Sequence, residues 1–424
     1  MWNDSSNYKK YACYFVFIVF LILFGLSCAG GDSQKVAFAK MTDEEIEAEL
    51  NDKIDGVLND IDTNELDDFL SNDFNFDFLN KSSFKDIVLS VLNGNYFNEY
   101  DSLFDYIGQV IKNHLQQLLS IFVMFLAIVL LHEMFNNFCV DKYADLKKSV
   151  KLIFSLFIIL LVAYLLKDVA ESVSDVIDKI FSFSNILFPI LLTLVSISGA
   201  VGTHSVYSSL SVFLLNTGSY VFKFVLMPLS ISILVLSLVG SIFSNKRFEK
   251  TVNIFKWFFK CVIGLMFAIF GLFSMVNLVS VGVKDGVSLK LTKFALKNYI
   301  PVLGGYVSDG FDFVHACSVL IKNAFGVCGI IVLLFTVLKP LLFYFAYIFL
   351  FKMLSLFVSY VSNDFYSDMF DNVSKCLGYF VSVLVGVFLI MFIFIYILIV
   401  SVSVVWWFLK LWFLWLWWTW FMNW

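Results

Sequence analysis

Long uninterrupted apolar runs constrain this chain more than any other feature. At 1.5 Å per residue, about 20 apolar residues in a helix cross the roughly 30 Å hydrocarbon layer of a membrane. We place such runs at 118–138, 150–166, 185–203, 206–243, 254–282, 313–335, 340–360 and 377–400. The run 206–243 is too long for one crossing, so it is divided in two near Lys223 and Pro228. With 60% hydrophobic residues, the chain is predicted to be all-α, a polytopic membrane protein with about 8–9 transmembrane helices.

The N-terminal quarter of the chain has a different character. Residues 1–30 carry Lys9 and Lys10, then an apolar run and small residues, which is typical of a signal peptide cleaved after Ala29 or Ala39. An uncleaved membrane anchor is the alternative. Residues 31–112 hold 19 acidic residues against 6 lysines, a net charge of -13. We therefore predict an exported, acidic, helical region over 31–112 and a multi-pass membrane domain over 113–403.

Two helices are predicted inside the acidic region. Thr42 and Glu45 form a capping box at the start of an acidic helix with a narrow apolar stripe. A second helix is expected over 83–93, ended by Gly94. The acidic clusters lack the glycine and the final bidentate acid that a calcium-binding loop needs. The carboxylates are interpreted as a solvated face, with docking of a partner protein as the alternative.

Basic residues predict the orientation, because basic loops stay in the cytoplasm. The first cluster lies around the start of the crossing 150–166, and the second lies around the start of the crossing 254–282. The members are Lys142, Lys147, Lys148 and Lys151 in the first cluster, and Lys246, Arg247, Lys250, Lys256 and Lys260 in the second. An even number of crossings between them puts both clusters on the cytoplasmic side.

The segment after 254–282 conflicts with this rule, because it is also basic although it falls on the other side. Lys290, Lys293 and Lys297 recur at helical spacing opposite apolar side chains. This pattern predicts an amphipathic helix lying in the membrane interface rather than an ordinary loop. Pro301 and the glycines from Gly304 should end it, and Ser308 or Asp309 is expected to cap the following helix.

That following helix carries a polar seam, which we define by the residues that fall within an arc of about 140° at 100° per residue. They are Ser308, Asp309, Asp312, His315, Ala316, Lys322, Asn323 and Gly326. Lipid exposure of a lysine at membrane depth costs on the order of 3 kcal/mol, so the seam must face protein or water. Two interpretations stay open: a seam packed against a neighbouring helix, or the wall of a water-filled path.

Motifs for catalysis are missing from the sequence. "HEMFN" from His132 has Asn136 where the metalloprotease motif H-E-x-x-H needs its second histidine. The chain has no nucleotide-binding loop of the form G-x-x-x-x-G-K-[ST] and no C-x-x-C pair among its seven cysteines. We expect no enzyme activity, no cofactor, no metal site and no nucleic-acid partner.

The last 21 residues, 404–424, contain eight of the ten tryptophans. Tryptophan favours the membrane interface, so an interfacial tail is one interpretation. Low-complexity drift or a frame error in the sequence is the other.

Several segments, taken in chain order, resemble those of a known family. "ELDDFL", "FKDIVLSVLNG" and "LLSIF" occur in order, followed by "TKFALKNYIPVLGGYVSDGFDF" and "SVLIKNAFGVCGIIVLL" between Thr292 and Leu334. Together these segments resemble the stage III sporulation protein AE family of endospore-forming bacteria over roughly residues 40–403. The family-motif positions are Lys297, Asn298, Pro301, Gly304, Asp309, Lys322 and Asn323, and several coincide with the polar seam.

The resemblance implies a function. It implies a non-enzymatic subunit of the channel, or feeding-tube complex, between mother cell and forespore, in the mother-cell-derived outer forespore membrane. The implied partners are membrane lipid, other stage III sporulation A-operon proteins, including a separate ATPase and ring-forming subunits, and the forespore protein Q. A stand-alone permease or secondary transporter is the alternative, suggested by broken helices and membrane-buried polar groups.

Overall fold

The structure, a computed structural model, describes residues 63–73, 83–92, 100–138, 144–198, 201–243, 247–272, 304–361 and 364–399. These residues all belong to one compact unit, Ile61–Ser403, and the regular elements among them are helices. The predictions for the signal peptide, the first acidic helix, the amphipathic segment before Pro301 and the tryptophan-rich tail lie outside the described residues.

Two short helices precede the long ones: α1 (Asn64–Asp73) and α2 (Phe84–Leu92). The prediction of a helix over 83–93 is confirmed by α2. Ser83 Oγ accepts from Lys85 N at 3.2 Å, and Asp86 Oδ2 accepts from Ser83 N at 3.0 Å, which is a reciprocal cap. Asp67 of α1 also accepts from Phe84 N at 2.6 Å, so α1 helps to hold the start of α2.

Six longer stretches of helix follow. They are α3 (Tyr100–Phe138), α4 (Ala144–Ile197), α5 (Val201–Val221) continuing through a π-helical turn (Phe222–Leu226) into α6 (Met227–Phe243), α7 (Arg247–Leu272), α8 (Gly304–Val361) and α9 (Asp364–Ile399). Each is long and apolar enough to cross a membrane, which gives 6 candidate spans in the described residues. The helix α3 runs without a break across residue 112, where the sequence placed a domain boundary.

The number of separate helices was overestimated in three places. The predicted spans 150–166 and 185–203 lie in the single helix α4, and 313–335 and 340–360 lie in the single helix α8. Pro340 stays inside α8, since a proline removes only one backbone hydrogen bond and packed neighbours can hold the helix together. The predicted turn near Lys223 and Pro228 is wrong, because the chain continues there as π-helix and α-helix.

The long helices alternate in direction. Phe125 of α3 packs on Phe351 with ring centroids 5.8 Å apart, and His114 packs on Phe343 at 4.8 Å, so α3 runs parallel to α8. Helix α4 runs the opposite way, because its Val169 carbonyl accepts from Tyr344 Oη at 3.3 Å, while Leu187, further along α4, lies against Gly329, earlier in α8. The helices therefore form an up-and-down bundle.

One end of this bundle, the basic end, holds the α3–α4, α6–α7 and α8–α9 junctions. Lys151 Nζ lies 3.8 Å from the ring centroid of Phe365 at the start of α9. Asn372 Nδ2 donates to Ser241 Oγ, near the end of α6, at 3.3 Å. The described members of both basic clusters therefore lie toward the same end, within about three turns of the start of α4 and about four turns of the start of α7. Two helical passages connect the clusters instead of the four expected. The assignment of this end to the cytoplasm stays a prediction.

Candidate functional site

The structure describes some of the family-motif residues and not others. Lys297, Asn298 and Pro301 lie outside the described residues. Gly304 is the first residue of α8, so the expected cap at Ser308 or Asp309 is wrong: both lie in the second turn of the helix. Asp309 and Asp312 belong to a stretch, residues 304–314, of which only the helical backbone is described.

Lys322 lies in the interior of the bundle, with 1% of its side chain exposed. On the same helix, Ile321 and Phe325 are fully buried, and Ser318, one turn earlier, is 1% exposed. A lysine so placed keeps its charge away from acyl chains by means of the protein around it.

Asn323 connects the polar seam to the end of α9. With its amide oriented so that the nitrogen donates, Asn323 Nδ2 lies 3.2 Å from Ile399 O and 3.3 Å from Val319 O. The last carbonyls of a helix have no partner within that helix, so this bond gives the Ile399 carbonyl a donor from another helix. The seam residue Asn323 thus holds two helices together.

Glycines on α8 allow the neighbouring helices to approach closely. A methyl group on Gly326 would overlap Ile399, and one on Gly329 would overlap the Cδ2 atom of Leu187. Leu187 has no exposed surface, and Ile399 is half-buried. A larger residue at either position would force the end of the Ile399 or the Leu187 side chain to shift, so the two glycines allow α9 and α4 to pack closely on α8.

The short helices α1 and α2 cover the same part of the bundle. The ring of Phe84 lies 5.4 Å from that of Phe325, which is one turn after Lys322. Phe69 of α1 packs at the same distance, 5.4 Å, on Phe183 of α4. Phe84 and Phe325 are both fully buried. The seam around Lys322 is thus enclosed by α2, α4 and α9, which supports the packed-seam interpretation.

His315, another residue of the polar seam, differs from Asn323 in its hydrogen bonding. Its Nδ1 atom is buried and has no hydrogen-bond partner among the described residues. An unpartnered buried nitrogen costs free energy, so this position is where water or a further protein group would be favoured. The water-path interpretation therefore stays open for the N-terminal turns of α8.

Ion pairs inside the candidate spans were missed by the sequence analysis. Asp371 binds Lys352 of α8 through one carboxylate oxygen and Lys375 through the other, at 2.6 Å. Lys223, in the π-helical turn, donates to both oxygens of Asp178 at 2.8 and 2.6 Å. The spacing of four residues between Asp371 and Lys375 is the only local signal that pointed to either pair.

The "HEMFN" segment forms a packing site. His132 is buried, its Nδ1 lies 3.6 Å from Glu133 Oε1, and its ring packs on Tyr366 with centroids 4.9 Å apart. In the part of the chain that the structure describes, no group of three or more His, Cys, Asp or Glu side chains is arranged to hold a metal ion.

The fold and the enclosed seam define a class: a multi-pass, all-helical membrane protein whose buried polar residues join helices to one another. The comparison with protein families then gives the family. The model of stage III sporulation protein AE matches residues 82–402, and the chain belongs to this family.

The sequence of this chain is similar to that of one curated protein, at low identity. The stage III sporulation protein AE of Bacillus subtilis (strain 168) is 26% identical over 220 residues, which are 52% of this chain and 55% of the relative. The aligned region thus spans about half the length of that relative. No solved structure matches.

Proposed function

We propose that this protein is a non-enzymatic membrane subunit of the sporulation channel complex that connects mother cell and forespore and is needed after engulfment. The observation that carries the proposal is the family match over residues 82–402, which includes the enclosed seam of α8. Buried polar groups of the described residues join helices to one another, as the bond from Asn323 to the Ile399 carbonyl does, and this supports a structural role.

The proposed setting is the mother-cell-derived outer forespore membrane. There the protein would assemble with other stage III sporulation A-operon proteins, including a separate ATPase and ring-forming subunits, and with the forespore protein Q across the intermembrane space. The absence of a nucleotide-binding loop from the sequence is consistent with a subunit that depends on a separate ATPase. These partners are part of the proposal.

Deletion of the gene in its native host tests this function. We expect engulfment to finish and spore development to stop afterwards, with recovery when the intact gene is returned. Normal numbers of mature spores from the deletion strain would contradict the proposal.

A stand-alone permease is the second candidate. It is favoured by charged residues inside the candidate spans, above all the Lys223–Asp178 pair beside a π-helical turn, because transporters often place ionisable groups at interrupted helices. Reconstitution of the purified protein alone into liposomes distinguishes a permease from a channel subunit. Solute uptake without partners would support the permease, and its absence together with the deletion phenotype supports the channel subunit.

A further inference from the structure

The outer surface of α4 changes in character along the helix. Between residues 150 and 166 its exposed large side chains are apolar: Leu152, Ile153, Leu156, Phe157, Leu160 and Tyr164. Between residues 167 and 193 the exposed side chains are polar apart from Pro189: Lys167, Asp168, Glu171, Asp175, Ser182, Asn185 and Thr193. Charged groups are costly in contact with acyl chains, so the two parts of α4 have different surroundings.

The change occurs at the same level on α8. Tyr344 donates to the Val169 carbonyl, so these two residues lie side by side. Five residues toward the basic end on each helix are Phe349 and Tyr164, which are 64% and 68% exposed. Five residues away from the basic end on α8 is Lys339, which is exposed. Apolar exposure therefore ends at one level on both helices.

Helix α3 has its boundary at this level too. His114 packs on Phe343, the neighbour of Tyr344, and α3 runs parallel to α8. Five residues nearer the basic end, Leu119 is 61% exposed, and large apolar side chains stay exposed from there to Phe138. Before Leu119, the exposed residues of α3 include Lys112, Gln116 and Gln117. The apolar surface thus ends at the same level on three helices.

A polar helix packs on the bundle beyond this level. Phe69 of α1 packs on Phe183 of α4 with ring centroids 5.4 Å apart, and Phe183 lies 14 residues beyond Val169, about 21 Å along the helix. Glu65 and Asp68 of α1 are exposed there. Exposed carboxylates face hydrocarbon only at a large cost in free energy, so this part of the bundle is surrounded by water.

The apolar surface has the thickness of one membrane. On α3 it extends from Leu119 to Phe138, 20 residues that span about 30 Å. The hydrocarbon layer of a bilayer is roughly 30 Å thick. One bilayer therefore covers the exposed apolar surface of α3 from end to end.

A different face of the bundle, formed by α5, keeps apolar side chains exposed beyond this level. Gly218 of α5 lies next to the ring of Phe181 of α4. Val212 and Phe213, further from the basic end, are exposed. The boundary is therefore assigned only on the face formed by α3, α4 and α8.

We propose that, on the face formed by α3, α4 and α8, acyl chains cover only the part between the basic end and the level of Leu119, Tyr164 and Phe349. Beyond it, the outer surface of α4 from Asp168 to Thr193 contacts bulk water. The second half of α4, about 45 Å from Asp168 to Ile197, then stands outside the hydrocarbon on the side opposite the basic end. This placement does not depend on the proposed sporulation role.

The test compares two single-cysteine variants of the full-length protein in nanodiscs, each in a background without other cysteines. Asn185→Cys lies on the polar part of α4, and Phe157→Cys, the matched control, lies on the apolar part. Both positions are exposed, so neither substitution removes a buried contact. Asn185→Cys should react with a charged, water-soluble maleimide at least about tenfold faster, because acyl chains disfavour the reactive thiolate. Equal rates at the two positions would overturn the proposal.

A maleimide that carries a long polyethylene glycol chain distinguishes bulk water from a narrow water-filled path inside the membrane. Modification of Asn185→Cys by both the small and the large reagent supports bulk water. Modification by the small reagent alone would overturn the placement outside the membrane.

A second pair on α3 keeps the proposal testable if Asn185→Cys folds poorly. Gln117→Cys lies on the polar side of the boundary, and Leu131→Cys lies on the apolar side. The water-soluble maleimide should modify Gln117→Cys faster, and a lipid-soluble, membrane-confined probe should modify Leu131→Cys faster. The same order of rates with both reagents would show that no boundary lies between the two positions.

Discussion

The two halves of helix α8 differ in what surrounds their lysines: Lys322, in the first half, is buried, and Lys352, in the second half, is half-buried. Around Lys322, in the first half, the protein encloses the helix, and no large apolar side chain between 315 and 348 is exposed. Around Lys352, in the second half, Phe349 is 64% exposed and Leu356, Phe357 and Tyr360 are exposed as well. The half that exposes apolar surface has the properties of a lipid-facing segment, and its lysine is neutralised by Asp371.

This difference shows that apolar composition alone does not identify the lipid-facing part of a long helix. The helix α8 has 58 residues and extends about 87 Å, nearly three times the hydrocarbon thickness. Its enclosed half can therefore be apolar because it is a protein core. We expect the two halves to respond differently to mutation.

The largest expected loss of stability concerns the contact through which α2 encloses the first half of α8. Phe84→Ala removes a fully buried ring from the α2 contact with Phe325 and should weaken that contact by about 3 to 5 kcal/mol. In a variant that keeps only Cys328, labelling by a water-soluble maleimide should rise from background. A variant that keeps only Cys376, which is buried elsewhere, is the control and should not change. Unchanged labelling of Cys328 would show that α2 does not enclose the seam.

The second-largest loss of stability is expected from breaking the ion pair between Lys352, in the second half of α8, and Asp371. Asp371→Asn leaves Lys352 and Lys375 without their shared carboxylate and should destabilise the protein by about 3 kcal/mol. Glu171→Gln breaks the exposed Lys167–Glu171 pair and should cost less than about 0.5 kcal/mol. Unfolding in nanodiscs measures both, and equal costs would contradict the different burial of the two pairs.

A smaller effect is expected from the close packing of α4 on α8. Gly329→Leu places a side chain against Leu187, which is fully buried, and should cost about 2 kcal/mol. Gly108→Leu is the matched control, since nothing lies within 4 Å of the added Cβ atom. Thermal unfolding of the two variants should rank them in this order, and a stable Gly329→Leu variant would contradict the packing.

The smallest effect on stability is expected at the seam itself. In Lys322→Leu, an apolar side chain of similar size fills the enclosed position and removes a group whose charge is costly to bury, so the change in stability should be small. Insertion into the membrane should stay normal, whereas spore formation in the native host should be impaired. Full spore formation with this variant would exclude a functional role for Lys322.

Local sequence patterns predicted part of this fold. The helix predicted over 83–93 corresponds to α2, and the period of the polar residues indicated the polar seam of α8. The continuity of α4 was not visible, because the charged residues from Lys167 to Lys179 resemble a loop in a hydropathy profile. Lysine, aspartate and glutamate can stay helical, and the Lys167–Glu171 pair at i,i+4 supports the helix there.

The neighbours of the seam could not be predicted. The bond from Asn323 to the Ile399 carbonyl and the contact of Phe84 with Phe325 join residues far apart in sequence. No periodic pattern encodes such partners, since they depend on how the helices pack. The same applies to the Lys223–Asp178 pair, which joins a π-helical turn to the middle of α4.

The most direct measurement labels two positions of α8 with a lipid-soluble, membrane-confined probe in intact membranes. One single-cysteine variant keeps the native Cys328, and the other carries Phe349→Cys in a background without other cysteines. The enclosed first half predicts labelling at position 349 and none at Cys328 until the protein is unfolded. Equal labelling at both positions would contradict the enclosure of the seam by protein.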